Sequence, residues 1–73
     1  MKRSFAMQDL DCANCAAKME AAIKKIEGVN SCSVNFFAQK LVLDADDSRF
    51  DDILKLADQA IRRVDPDCRL IVK

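Results

Sequence analysis

Apolar and polar residues alternate along the first stretch of the chain. Phe5 and Met7 fall on one side, Ser4 and Gln8 on the other. This period of two predicts a half-buried strand over residues 3–8. The polar segment at 9–14 interrupts it, and from Cys15 the period becomes helical. Met19, Ala22, Ile23 and Ile26 stand at i, i+3, i+4 and i+7, while Lys18, Glu20, Lys24 and Lys25 mostly fill the opposite face. The spacing predicts a helix over 14–27, with Asn14 or Cys12 in its N-cap region. Gly28, the sole glycine, is the expected terminator.

Alternation returns over 29–36, where Cys32, Val34 and Phe36 are in phase. A short connection at Phe37-Ala38-Gln39 leads to a second run over 40–45, and the two are spaced as a hairpin. Leu41, Val42 and Leu43 are all apolar, so the pattern selects no buried face for that run. Asp46-Asp47-Ser48 is a polar helix start. Phe50, Ile53, Leu54, Ala57, Ala60, Ile61 and Val64 then keep helical spacing, and Arg62 and Arg63 suit the C-terminal dipole. Asp65-Pro66-Asp67 breaks the helix. Residues 68–73 form a last strand, with Cys68, Leu70 and Val72 on one face.

The order strand, helix, strand, strand, helix, strand predicts an α+β fold, the ferredoxin-like βαββαβ sandwich. Two right-handed crossovers interleave in one four-stranded antiparallel sheet, with both helices on one face. The last strand is then antiparallel to the first, which brings the cysteine-bearing loop beside the turn at 65–68. The hairpin tip is expected at the opposite edge or end. Residues 1–73 are expected to form a single domain, without internal repeats, and to act as a monomer.

Half of the chain is apolar (51%), enough for a core, and 12 basic residues balance 12 acidic ones. That balance argues against nucleic acid, which requires a concentrated basic face. No apolar run approaches membrane-spanning length, so no membrane contact is expected from this chain. The charged N-terminus lacks a following apolar segment and does not read as a signal peptide, so a cytoplasmic location and reduced thiols are expected. With no histidine, phosphate loop or serine constellation, no enzyme activity is expected within these residues.

The chemistry is concentrated in Asp9-Leu10-Asp11-Cys12-Ala13-Asn14-Cys15. Two thiolates in Cys-x-x-Cys spacing at a helix start can turn toward one soft cation, where the first backbone N–H groups also stabilise negative sulfur. The same spacing serves thiol oxidoreductases. Here Asp9 and Asp11 flank the pair. They disfavour bare thiolates and are tolerated when a cation is bound, which favours metal binding over electron shuttling. A structural zinc site usually closes with four Cys or His ligands, and Cys32 and Cys68 are expected elsewhere. Cys32 reads as core. Cys68 reads as core by its phase with Leu70 and Val72, with a further thiolate ligand as the alternative. Met7 and Met19 read as core. Asp11 is a candidate oxygen ligand or a helix cap, and Asp9 a solvated loop charge. Asp65 and Asp67 read as a polar turn, with an electrostatic influence on the site as the alternative.

With these residues in place, the chain resembles the heavy-metal-associated (HMA) domain over nearly its whole length. That family comprises soluble metallochaperones and the cytosolic modules of heavy-metal P-type ATPases. Its pattern Gly-Met-Thr/Asp-Cys-x-x-Cys aligns with Asp9 to Cys15, and Glu27-Gly28-Val29 after the helix is also similar. The resemblance implies the same βαββαβ fold, and a transition metal held by Cys12 and Cys15. Asp9 replaces the family glycine and Leu10 the buried methionine. Asp11 before the first cysteine resembles the zinc, cadmium and lead branch, whereas copper members usually carry Thr or Ser there. Copper members also tend to have Gly-Tyr or Gly-Phe where this chain has Asp65-Pro66-Asp67. Ligand chemistry points the same way: Cu(I) is content with two thiolates, while Zn²⁺ prefers more ligands and accepts oxygen. The expected cargo is therefore zinc, cadmium or lead bound by Cys12, Cys15 and Asp11, with copper(I) as the alternative. The expected partners are heavy-metal P-type ATPase domains or another metal-exchanging protein.

Overall fold

A computed structural model describes residues 1–72 of the chain. Lys73, included in the expected last strand, lies outside the described residues. Strand β1 (Lys2–Gln8) leads through the cysteine loop to helix α1 (Ala13–Lys24), followed by β2 (Val29–Asn35) and β3 (Lys40–Ala45). A 3₁₀ turn (Asp47–Arg49) opens into α2 (Phe50–Val64), and β4 (Arg69–Ile71) closes the fold. The sheet order is β2-β3-β1-β4, and every neighbouring pair is antiparallel. This is the ferredoxin-like βαββαβ arrangement.

The pleat decides which residues enter the core, because alternate side chains point to opposite faces. Phe5 and Met7 from β1, Cys32 from β2, Leu41, Leu43 and Ala45 from β3 and Leu70 from β4 are all buried. Cross-strand register aligns them: Phe5 faces Leu41, Leu43 faces Cys32, and Met7 faces Leu70. The face of β3 that the apolar run left open is thus fixed by its neighbours, and Val42 stays half-buried on the other side. The helices complete the core with Ala16, Met19 and Ile23 from α1 and Phe50, Ile53, Leu54, Ala57 and Ile61 from α2. Val72, expected inside with Leu70, is 53% exposed, since β4 ends at Ile71.

Helix α1 ends earlier than its apolar spacing suggests. Lys25 and Ile26 donate to Ala22 and Ile23, so the last turn tightens to i→i+3 bonds before Gly28 turns the chain at φ +96°. A Cβ at Gly28 would stand 2.7 Å from the Ile53 Cδ1 atom. Both the backbone angle and the close approach of α2 therefore require glycine here.

The hairpin lies at the edge of the sheet away from β4, as one of the two expected placements had it, and the other, the opposite end, is corrected. Ala6 near the end of β1 pairs with Lys40 at the start of β3, so the tip lies at the same end of the sheet as the cysteine loop. The reason is directional. Helix α1 carries the chain back, β2 again runs with β1, and the two strands therefore finish at one end. Strand β4 starts there too, with Arg69 opposite Gln8. The loop at 9–12, the hairpin tip and the turn at 65–68 converge on this end.

Candidate metal centre

Cys12 is the N-cap of α1, with extended backbone angles (φ −137°, ψ 117°), and its Sγ accepts the Cys15 N–H at 3.2 Å. The thiol thus takes the place that a serine or aspartate oxygen holds in an ordinary cap. Asp11 is not the cap. It is exposed, and among the described residues it has no hydrogen bond or ion pair. Cys15 stands in the first turn of α1. Both thiols are partly exposed, and all four cysteines are free.

The electrostatics separate the two thiols. The Cys12 thiol is drawn below its ordinary value, chiefly by a hydrogen bond from the Cys15 side chain and then by the Cys15 and Asn14 backbone N–H groups; Asp11 opposes this. The Cys15 thiol is raised, first because it donates to Cys12, then by burial, the Cys12 charge and Asp65. One thiolate is thus stabilised by the helix start, while the second thiol holds its proton more tightly.

Leu10 anchors the loop, with its side chain 2% exposed. Asp9 beside it adopts φ +63°, the left-handed region that glycine enters freely and aspartate tolerates better than most residues. This accounts for the family glycine aligned with Asp9. The Asp65 carboxylate accepts the Asp67 N–H at 3.0 Å, which makes the expected polar turn. Its charge also raises the Cys15 and Cys68 thiols, so it acts electrostatically on this end as well.

The structure brings Cys12 and Cys15 together. It does not gather a ready-made cluster: among the described residues, no three His, Cys, Asp or Glu side chains are placed to hold one metal ion. Cys68 is fully buried, and burial pushes its thiol up to about 11, with Asp65, Asp9, Asp11 and Cys15 adding to the effect. Cys32 is likewise buried and pushed up to about 11. Met7 and Met19 are core residues. Sequence reasoning missed Gln39, whose side chain reaches from the hairpin tip to Leu10. No residue spacing marks it. Only the correct placement of the hairpin end would have.

Fold and thiols together define a class: a small βαββαβ domain carrying two free thiols at the start of its first helix. A model of the heavy-metal-associated domain family matches residues 4–64. A cadmium, zinc and cobalt-transporting ATPase of Bacillus subtilis is 35% identical over 66 residues, covering 90% of this chain and 9% of its own length. A zinc/cadmium/lead-transporting P-type ATPase of Shigella sonnei is 38% identical over 60 residues, covering 82% of this chain and 8% of its own length. The N-terminal domain of the copper(I) ATPase PacS in its apo form superimposes with a TM-score of 0.77 at 29% identity, over 100% of this chain and 93% of that one. The CopZ metallochaperone shares the fold, with a TM-score of 0.76 at 22% identity over 97% of this chain and 100% of that one. The chain belongs to the heavy-metal-associated domain family. It spans less than a tenth of the two ATPases it matches. No helix among the described residues is long and apolar enough to cross a membrane.

Proposed function

We propose that this domain binds one divalent soft or borderline cation, Zn²⁺, Cd²⁺ or Pb²⁺, through Cys12 and Cys15, with Asp11 as an added oxygen donor. The ion is cargo: the domain delivers it to a heavy-metal-transporting P-type ATPase, or regulates that pump, on the cytoplasmic side. The observation that carries this reading is the pair of partly exposed thiols at the α1 start, next to an Asp11 carboxylate engaged in no cap. The zinc and cadmium ATPases among the relatives support it.

Loading exchanges protons for metal. Cys12 is the easier thiol to ionise and takes the ion first, and the Cys15 proton is released as the second sulfur binds. With two thiolates the divalent ion is already neutralised, and Asp11 then fills a further coordination position with the oxygen that Zn²⁺ accepts. Ligand positions left open beyond these three admit a donor from the partner, and the ion leaves by stepwise exchange. Cys12 on the loop releases first, while Cys15 is held by the helix.

The second reading is a free-standing Cu(I) metallochaperone of the same fold, favoured by the likeness to the copper(I) ATPase domain. Anaerobic competition titration of the reduced protein and its Asp11→Asn variant against calibrated Zn²⁺ and Cu(I) chelators separates the two. A charge-assisted contact is worth about 1.5–3 kcal/mol, so Asp11→Asn is expected to weaken Zn²⁺ by about tenfold or more. Cu(I), satisfied by two thiolates, is expected to change little. Equal losses for both metals, or none for Zn²⁺, would move the copper reading ahead.

A further inference from the structure

Gln39 does more than close a turn. Its backbone carbonyl accepts the Met7 N–H at 2.7 Å. Its side-chain Oε1 accepts the Leu10 N–H at 3.1 Å. Its Nε2 donates to the Phe36 carbonyl at 2.8 Å and also to the Leu10 carbonyl. Both hydrogens of the amide nitrogen are thereby used. The backbone sits at φ +54°, and the side chain reaches back from the hairpin tip to Leu10.

Leu10 depends on that side chain. Strand β1 ends at Gln8 and Asp9 turns the chain, so Leu10 lies beyond the sheet ladder. Both of its backbone polar groups are taken by Gln39, while its own side chain is locked in the core. Two residues further on stands Cys12. Cys15 is fixed by α1, so the position of Cys12 decides how readily two sulfurs converge on one ion. From this we infer that Gln39 is a positioning residue of the metal site: its amide clamps Leu10 and thereby sets where the Cys12 loop stands relative to Cys15. The inference rests on the proposed role of Cys12 and Cys15 as ligands.

Four proteins test it: the unsubstituted domain, Gln39→Met, Gln39→Glu and Asn35→Ala. Met keeps the length of the side chain and removes the amide. Glu keeps an acceptor for the Leu10 N–H but offers no donor to the two carbonyls. Asn35→Ala removes a different bond of the same hairpin tip, the 3.0 Å acceptance of the Ala38 N–H, without touching Leu10. For each, four readouts are taken: the urea midpoint of the apo protein, hydrogen exchange at the Leu10 amide, Zn²⁺ release to excess chelator, and the ultraviolet thiolate band of the Cd²⁺ form. Losing a partner that orients a metal ligand weakens affinity by about tenfold to a hundredfold. Gln39→Met is therefore expected to release Zn²⁺ at least about tenfold faster, with Leu10 exchange accelerated and the Cd²⁺–thiolate band retained. Gln39→Glu is expected to follow it in release, and it carries the test if the Met variant does not fold. Asn35→Ala is expected to match the unsubstituted protein in Leu10 exchange and Zn²⁺ release. Equal acceleration by Asn35→Ala and Gln39→Met would overturn the inference, as would loosened Leu10 exchange with unchanged release. Failure of the underlying reading is distinct: the unsubstituted protein would then show no Cd²⁺–thiolate band at all.

Discussion

Replacing both Cys12 and Cys15 by alanine separates a carrier from a structural metal site. In a carrier, the two thiols contribute little to the fold. Cys12 supplies one cap bond, the 3.2 Å acceptance of the Cys15 N–H, and loss of such a cap costs about 1 kcal/mol. Cys15 is partly exposed and packs at the margin of the core, so removing its sulfur forfeits roughly one methylene equivalent of burial, about 0.8 kcal/mol. The sum is about 2 kcal/mol, which for a domain of this size lowers the melting temperature by about 8–16 °C. The buried set from Phe5 to Leu70 is left intact. A structural zinc site instead provides about 10–16 kcal/mol of folding free energy, and its removal unfolds the domain. The assay is a circular-dichroism melt of the chelated unsubstituted protein and of the double variant, paired with equilibrium dialysis against Zn²⁺. The expected result is two cooperative melts within that interval, and stoichiometric binding only for the unsubstituted protein. An unsubstituted protein that unfolds on chelation, or a double variant with no cooperative melt, would refute the reasoning.

Two further outcomes follow from the fold. Gly28→Ala places a methyl 2.7 Å from the fully buried Ile53 at φ +96°, and is expected to destabilise by about 1–3 kcal/mol in urea titration. Because Gly28 lies beyond the far end of α1 from the thiols, Zn²⁺ affinity should hold; an unchanged urea midpoint would show that the turn has another solution. Alkaline stability follows from Cys32 and Cys68, both raised from 9.0 to about 11 mainly by burial. Their folded values lie above the unfolded one, so the stability they confer is complete below pH 9.0 and is lost as the pH rises toward 11. Melts between pH 8 and 11 should show that decline, and a Cys32→Ala, Cys68→Ala double variant should flatten it; an unaltered slope would assign the decline to other groups.

The local chemistry of this chain lies in its sequence. Strict alternation around Phe5 and Met7, and helical spacing from Met19 to Ile26 and from Phe50 to Val64, specify three of the six main elements, because a buried strand face and a buried helix stripe have different periods. Cys-x-x-Cys at the onset of a helical period marks the candidate site, since two sulfurs one turn apart share a face whatever surrounds them. Tertiary structure decided what depends on neighbours. The buried face of β3 followed from pairing with β1 and β2, because an all-apolar run carries no phase of its own. Helix α1 ends at Lys24, with Lys25 and Ile26 in a tightened i→i+3 turn, and Gly28 rather than its neighbours meets the close approach of Ile53. Cys12, not Asp11, became the cap, because both were competent and only the path of the loop chose between them. The hairpin tip came to the thiol end because β1 and β2 run the same way, and that brought the Gln39 amide onto Leu10, a contact between residues too far apart in the chain for any local pattern to record.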